Sequence, residues 1–283
     1  MLKQRIITAL VLLAILLPAI FYPTPDAFGF VALVLITAGA WEWGKLNQCD
    51  QVGSIAMGAV CAIGCATAWY SGLLYQPPMT MWFVAGGVWV TVGMWLLMGG
   101  VAAWARVPKS LRLVGGVAAL WVAWIAVAHA RIVGINFLFS VLVLVWVADV
   151  SAYFAGRALG GRFFGRKLAP TISPGKTWEG ACGGLLGVVV SAFAWQGMDR
   201  SWAFGSTSLY TQMGNVHPIF MVLAVFFLAS MSIVGDLVES LFKRSAGVKD
   251  SSNLLPGHGG VLDRVDALLP VLPLAMMLVS IKV

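Results

Sequence analysis

The sequence predicts an all-α fold: a polytopic integral membrane protein with about nine transmembrane helices, N-terminus in and C-terminus out. Three observations predict it. The mean hydropathy is +0.91, with 60% hydrophobic and 10% charged residues in a chain of 283. Apolar runs repeatedly approach or exceed the ~18–20 residues that a spanning helix needs. Lys and Arg gather on one side of those runs. Lipid offers no partner to a bare N–H or C=O, so such runs cross as helices. No stretch of soluble composition is long enough for a separate soluble domain.

The first apolar run follows Lys3 and Arg5 and extends to about Tyr22. Its flanks are those of a signal peptide, but no small-residue cleavage site follows, so a retained first span is expected. The spans are expected at 6–22, 27–44, 52–72, 79–99, 113–130, 135–156, 179–197, 217–242 and 260–281. The second is short in apolar content, and the eighth carries acids near its end. With the N-terminus inside, the inner segments hold Lys3, Arg5, Lys45, Arg106, Lys109, Arg112, Arg157, Arg162, Arg166, Lys167, Lys176, Lys243, Arg244, Lys249 and Arg264. The outer segments hold Arg131, Arg200 and Lys282. Fifteen of the 18 basic residues are therefore inside, which supports the odd number of spans. The net charge of +7 reads as basic loops facing anionic lipid, not as a nucleic-acid surface. Of the four cysteines, Cys61 and Cys65 share a helix face. With no His or further Cys beside them they read as small buried residues.

The acids divide the chain. In the first five spans Glu42 is the exception, at the inner end of span two. The last four spans hold Asp149, Glu179, Asp236, Glu239, Asp263 and Asp266 at or near their inner ends. Ionisable groups within spans are costly and functional by default. Residues 1–134 are therefore expected to be scaffold or subunit interface, with Gly86, Gly87, Gly115 and Gly116 permitting close helix packing. Residues 135–283 are expected to carry the site.

Three polar stretches carry it. In "GDLVESLFKR", Asp236, Glu239, Ser240 and Lys243 share a helix face. An i, i+4 ion pair explains Glu239 and Lys243 but leaves Asp236 unexplained. In "KDSSNLLPGHGGVLDRVD", Pro256, Gly257, Gly259 and Gly260 break the helix and permit close backbone approach to a ligand. Asp263 and Asp266 follow on one face. Helix-dipole complementation accounts for one such acid, not two. Two carboxylates there, with Asp236 from the preceding helix, suit Mg2+, which takes oxygen ligands and leaves positions for phosphate oxygens. His258 is a phosphate donor, a general acid or a structural hydrogen-bonder; its position leaves all three open. In "GRFFGRKLAPTISPGKTWEG", the "GKT" is not a P-loop: Pro170 stands where the motif needs Gly, and no strand is expected before it. Ser173, Lys176 and Thr177 at a helix N-terminus still suit a triphosphate. Together these loops describe phosphoryl or nucleotidyl transfer on a substrate that lives in the bilayer.

These residues resemble the signature of the bacterial phosphatidate cytidylyltransferases, also called CDP-diacylglycerol synthases. The signature runs in step through Ser240, Lys243, Arg244, Lys249, Asp250, Ser252, Pro256, His258, Gly259, Gly260, Asp263, Arg264 and Asp266. A second block is similar at Ser173, Pro174, Lys176, Thr177, Trp178, Glu179 and Gly180. It departs at Gly175, where the family commonly has Lys. The resemblance implies transfer of a cytidylyl group from CTP to phosphatidate, giving CDP-diacylglycerol and pyrophosphate for phospholipid biosynthesis. It implies Asp236 and Asp263 as metal ligands, with Asp266 and Asp250 behind them, and Mg2+ with a monovalent cation such as K+ nearby. Catalytic roles are expected of Asp236, Asp263, Lys249 and His258. Substrate contacts are expected of Ser173, Lys176, Thr177, Glu179, Lys243, Arg244 and Arg264. It further implies a homodimer in the bacterial inner membrane, with its site facing the cytoplasm.

Rival readings are a CTP-dependent lipid or polyprenol kinase, a cation-coupled transporter and a CDP-alcohol phosphotransferase. The full 249–266 signature disfavours the kinase. The transporter expects acids near the midplane of two related halves. The phosphotransferase expects an Asp-Gly-rich motif that is not found.

Overall fold

A computed structural model describes residues 2–202 and 204–281. Lys282, assigned above to the outer side, lies outside them. The described chain is helical apart from one hairpin. Its order is α1 (Leu2–Phe21), α2 (Asp26–Leu46), α3 (Gln51–Tyr70), α4 (Met79–Arg106), α5 (Lys109–Val133), α6 (Ile135–Leu159), β1 (Lys167–Ala169), β2 (Ser173–Thr177), α7 (Trp178–Ser201), α8 (Leu209–Val216), α9 (Pro218–Ser245), α10 (Leu262–Val265) and α11 (Leu268–Ser280). Eight of these, α1 to α7 and α9, are long and apolar enough to cross a membrane. Large apolar side chains such as Leu10, Ile63, Phe154 and Leu186 face outward on them, as a lipid solvent requires.

The expected ninth span is interrupted. Residues 262–280 form the short α10, a turn at Asp266 and Ala267, and then α11. Pro270 has no N–H for the carbonyl of Asp266 four residues before it, which opens the helix there. Both pieces together are about 28 Å long at 1.5 Å per residue, close to the hydrocarbon thickness. Two smaller elements were not expected from the sequence. β1 and β2 pair antiparallel, with Lys167 opposite Thr177 and Ala169 opposite Ser173. The short α8 lies in the loop before α9, capped by Ser208.

Small residues set the helix spacing. Along α7, Gly180, Gly183, Gly184 and Gly187 face Ala148, Ser151, Ala152 and Ala155 of α6, which brings the two backbones together. Of the glycines singled out earlier, Gly116 lies under Trp43 and Gly86 under Leu274 and Met277, while Gly87 and Gly115 face open space. Gly235 of α9 packs on the Asp266 carbonyl and Pro270; a Cβ there would lie 2.6 Å from that oxygen. Trp43, Trp104 and Phe242 form an aromatic cluster that joins α2 and α4 to the end of α9, with ring centroids 4.3 to 5.9 Å apart. Cys61 and Cys65 are buried and unbridged.

The interhelical polar contacts sort to the two ends of the bundle. At one end Lys109 donates to the carbonyl of Gln48, Arg5 to Gly257, and Arg244 to Ile172. At the other, Arg131 donates to the carbonyls of Ile20 and Tyr22, and Asp199 accepts from Asn136, Ser208 and Thr211. A Cβ at Gly184 would stand 2.8 Å from the Ala148 carbonyl oxygen, whereas one at Gly197 meets nothing within 4 Å. Alanine is favoured over glycine in a helix by about 1 kcal/mol. Gly184→Ala is therefore expected to lower the unfolding temperature of the detergent-solubilised protein despite that gain. Gly197→Ala is expected to leave it equal or higher, both read by tryptophan fluorescence.

Candidate active site

Three pieces of chain meet where α9 ends: the β1–β2 hairpin, α9 itself, and the 249–266 segment that leads into α11. The hairpin is pinned from below. Thr177 caps α7, its Oγ1 accepting the N–H of Gly180 at 3.0 Å. Glu179, buried in the first turn of α7, accepts the N–H groups of Gly161, Phe163 and Phe164 at 2.9, 3.2 and 3.0 Å on one oxygen. A carboxylate at a helix N-terminus is favoured by the dipole, and this one also closes the turn after α6, alongside the Arg162 N–H to Leu159 carbonyl bond. Thr177 and Glu179 were expected to touch substrate. Thr177 Oγ1 and Glu179 Oε1 hold the chain in shape, while Oε2 of Glu179 is buried without a partner. Ser173 begins β2, half-buried, and Lys176 projects from its far end.

Lys176 reaches across to α9, where its Nζ lies 2.6 Å from Oδ2 of Asp236. Ser240 donates to the other oxygen of Asp236 at 3.3 Å. Asp236 lies in the fields of Asp149 on α6 and of Asp266 at the break before α11. Two turns further along α9, Lys243 stands between Glu239 and Asp263 and makes a 2.6 Å contact to Oδ1 of Asp263. All three side chains are largely buried. The second oxygen of Asp263 accepts Gly260 N–H at 2.7 Å and both the N–H and hydroxyl of Ser251 at 2.9 Å.

The 249–266 segment, the opening segment of the last span, is shaped by its glycines. Gly257 and Gly259 have φ of +76° and +87°, a region costly for any other residue. The turn they make brings the Leu255 N–H onto the Gly259 carbonyl at 2.8 Å. Arg264 donates back to the His258 carbonyl at 2.8 Å. The Nδ1 of His258 is buried without a partner. Lys249 and Asp250 are exposed and line an open cavity of about 690 Å3 with Trp41, Lys45, Ser252 and Asn253. A second cavity of about 860 Å3, walled by apolar side chains of α4 and α5, reaches Gly235 and Glu239 of α9.

The expected residues thus divide. Asp236 with Lys176, and Lys243 with Glu239 and Asp263, form two ion-paired groups along α9, with Asp266 in the fields of both and Asp149 near Asp236. Arg244 holds the Ile172 carbonyl at 3.3 Å. Lys249 and Asp250 lie on a separate, open face of the same loop. Among the described residues no three His, Cys, Asp or Glu side chains converge on one point as a metal's ligands would. The set of Asp236, Asp263, Asp266 and Asp250 is therefore not assembled as four ligands. Two ammonium groups lie against the two carboxylates instead, and Asp263 has its lone pairs taken by Lys243 and by loop donors. The donor chemistry is nevertheless that of a hard cation: Asp236 of α9, Asp149 of α6 and Asp266 of the turn before α11 offer only oxygen and leave most of their lone pairs open.

Four participants were missed from the sequence or left without a role. Asp149 stands beside Asp236 across the α6–α9 contact. Glu42 of α2 accepts hydrogen bonds from the opening segment. Arg5 and Thr8 of α1 donate to the carbonyls of Gly257 and Pro256 at 2.9 and 2.8 Å. The available signal for Glu42 was its charge within a span.

Removing one partner of a buried ion pair strands the other and costs on the order of 3–5 kcal/mol. Lys243→Met is therefore expected to destabilise the solubilised protein strongly, and Glu239→Gln in the same chain to recover part of the loss. Thermal unfolding of the single and double variants checks both.

Comparison with known proteins bears on the whole chain. A family model described as "Cytidylyltransferase family" matches residues 3–282. A phosphatidate cytidylyltransferase of Pseudomonas aeruginosa is 38% identical over 284 residues, covering 96% of this chain and 95% of that protein. One of Haemophilus influenzae is 34% identical, covering 96% of each. One of Bacillus subtilis is 40% identical over 148 residues, 52% of this chain and 49% of its own length.

Proposed function

The chain belongs to the cytidylyltransferase family, and we propose that it transfers the cytidylyl group of CTP to phosphatidate at the cluster around Asp236 and Lys243. The observation that carries this reading is the meeting of the hairpin and α9 at the Lys176–Asp236 pair, 2.6 Å long. It puts a basic, hydroxyl-bearing loop against a carboxylate helix, and the same helix walls an apolar cavity through Gly235, Val238 and Glu239. Such a site suits a reaction between a nucleoside triphosphate and a lipid.

The chemistry asks for charge neutralisation more than for a base. A phosphate monoester has a second pKa of about 6, so phosphatidate arrives largely dianionic. Its phosphate oxygen attacks the α-phosphorus of CTP. The new P–O bond forms as the bond to the β-phosphate oxygen breaks, and pyrophosphate leaves. Lys176 and Lys243 are placed to hold phosphate oxygens as charge builds on them. Lys249 and Arg264 lie on the adjoining loop, where a second phosphate-bearing group enters. The apolar cavity against Gly235 and Glu239 takes acyl chain. Asp236, with Asp149 and Asp266 beside it, would hold a divalent cation such as Mg2+, and Lys176 would then turn from Asp236 to the triphosphate. The cation when bound polarises phosphoryl oxygens and offsets their charge. Asp263 acts through its hold on Lys243, Ser251 and Gly260.

Kinase and synthase readings differ in the atom transferred. Label at the α-phosphate or in the cytosine ring is expected in the organic phase, with γ label remaining aqueous as pyrophosphate. Diacylglycerol should be inert, and chelation of divalent cations should stop the transfer until Mg2+ is restored in excess. γ label in the lipid without α label would replace the synthase by a kinase on the same site.

The site faces the cytoplasm of a bacterial inner membrane in this reading. The 15 inner against three outer basic residues support it. In a chain lacking Cys49 and Cys182, Val248→Cys is expected to resist an impermeant thiol reagent in sealed cells, and Thr207→Cys to react. The reverse pattern would invert the topology.

A further inference from the structure

Helix α2 carries Glu42 inside its spanning length, and this carboxylate is wholly buried at 0% exposure. Among the described residues no Lys or Arg is paired with it. Instead it makes four hydrogen bonds, all to one distant segment. Its Oε1 accepts the Ser252 hydroxyl at 2.6 Å and the Val261 N–H at 2.9 Å. Its Oε2 accepts the Leu262 N–H at 2.8 Å and lies 3.2 Å from the Ser251 hydroxyl. Two donors belong to the outgoing arm of the 249–262 segment and two to the returning arm, so one side chain holds both.

Burial without a counter-ion is costly unless hydrogen bonds replace water. Glu42 is therefore committed to these donors, and they to it. The closeness is visible at Gly260, where a Cβ would fall 2.0 Å from the Ser251 hydroxyl oxygen and 2.4 Å from Oε1 of Glu42. Ser251 also lies 2.9 Å from Oδ2 of Asp263, and has a single hydroxyl proton for the two carboxylates. A continuous polar line thus runs from Glu42 through Ser251 and Asp263 to Lys243 and Glu239. It starts on α2 and ends on α9, one helical turn from Asp236.

We propose that Glu42 is a positioning residue for cytidylyl transfer, fixing the Lys249–Asp263 loop at its working distance from Asp236 and Lys243. The inference rests on the activity proposed above. An amide accepts at one oxygen only and would turn its NH2 toward two donors. Glu42→Gln keeps the size of the side chain and loses the clasp.

The test uses the full-length protein in micelles, without Cys49 and Cys182. Glu42→Gln is expected to lower kcat by about 100-fold, the scale of a misplacement of about 1 Å at a reacting group. KM for CTP and for phosphatidate should stay within about threefold, since uniform binding is untouched. The loss should be smaller on a Ser252→Ala background, because the two share one interaction. Maleimide labelling of Leu254→Cys should accelerate in Glu42→Gln while that of Thr207→Cys does not. Near-normal kcat in folded Glu42→Gln, or equal acceleration at both cysteines, would overturn the proposal. Should Glu42→Gln fail to fold, the Ser251→Ala, Ser252→Ala double variant decides, and an unchanged kcat there overturns it. If the wild-type protein forms no CDP-diacylglycerol, the proposed activity falls, and the labelling comparison still tests the clasp.

Discussion

Non-helical backbone at the membrane boundary must find its partners within the protein, and in this chain buried carboxylates supply them. Glu42 takes the N–H groups of Val261 and Leu262, Asp263 those of Ser251 and Gly260, and Glu179 those of Gly161, Phe163 and Phe164. At the opposite end Asp199 takes that of Ser208. Each accepts at or near a helix end, and each fixes a turn of the chain. The glycine-rich opening segment can lie against lipid-facing helices only because its two arms end on Glu42 and Asp263.

The same economy explains the two lysines. Lys176 and Lys243 are each seated on an acid of α9, and each is held at a distance suited to later use on phosphate. An ammonium on a four-carbon stem can swing between a carboxylate and a phosphate oxygen more easily than a forked guanidinium. Arg5, Arg244 and Arg264 each donate to a backbone carbonyl, of Gly257, Ile172 and His258, which leaves further N–H donors on each guanidinium.

Hydropathy made the long helices legible, since burial in lipid demands the same apolar length whatever the partner helices. It also placed the acids at helix ends. It could not show that Lys176 sits on Asp236, because 60 positions of chain separate them. A three-residue and a five-residue strand offer too little alternation to be seen against a basic loop. Thr177 and Glu179 fit a nucleotide loop by composition, and Ser-, Thr- and Glu-bearing helix starts also cap themselves; only the placement of Gly180, Gly161 and Phe164 reveals the capping. The apolar alternation of residues 260–281 hid the break at Asp266, whose cause, Pro270, was in plain view.

The contacts of Arg5 and Thr8 with Gly257 and Pro256 have a meaning for biogenesis. The first described helix to emerge during synthesis binds a loop that is made about 250 residues later. At 5–20 residues per second, roughly 12 to 50 s of translation separate the two halves of that contact. Helix α1 must wait at the edge of an unfinished bundle, with its inner end still hydrated, until the last hairpin arrives. A chain that stops before α10 lacks Asp263 and leaves Lys243 with Glu239 alone.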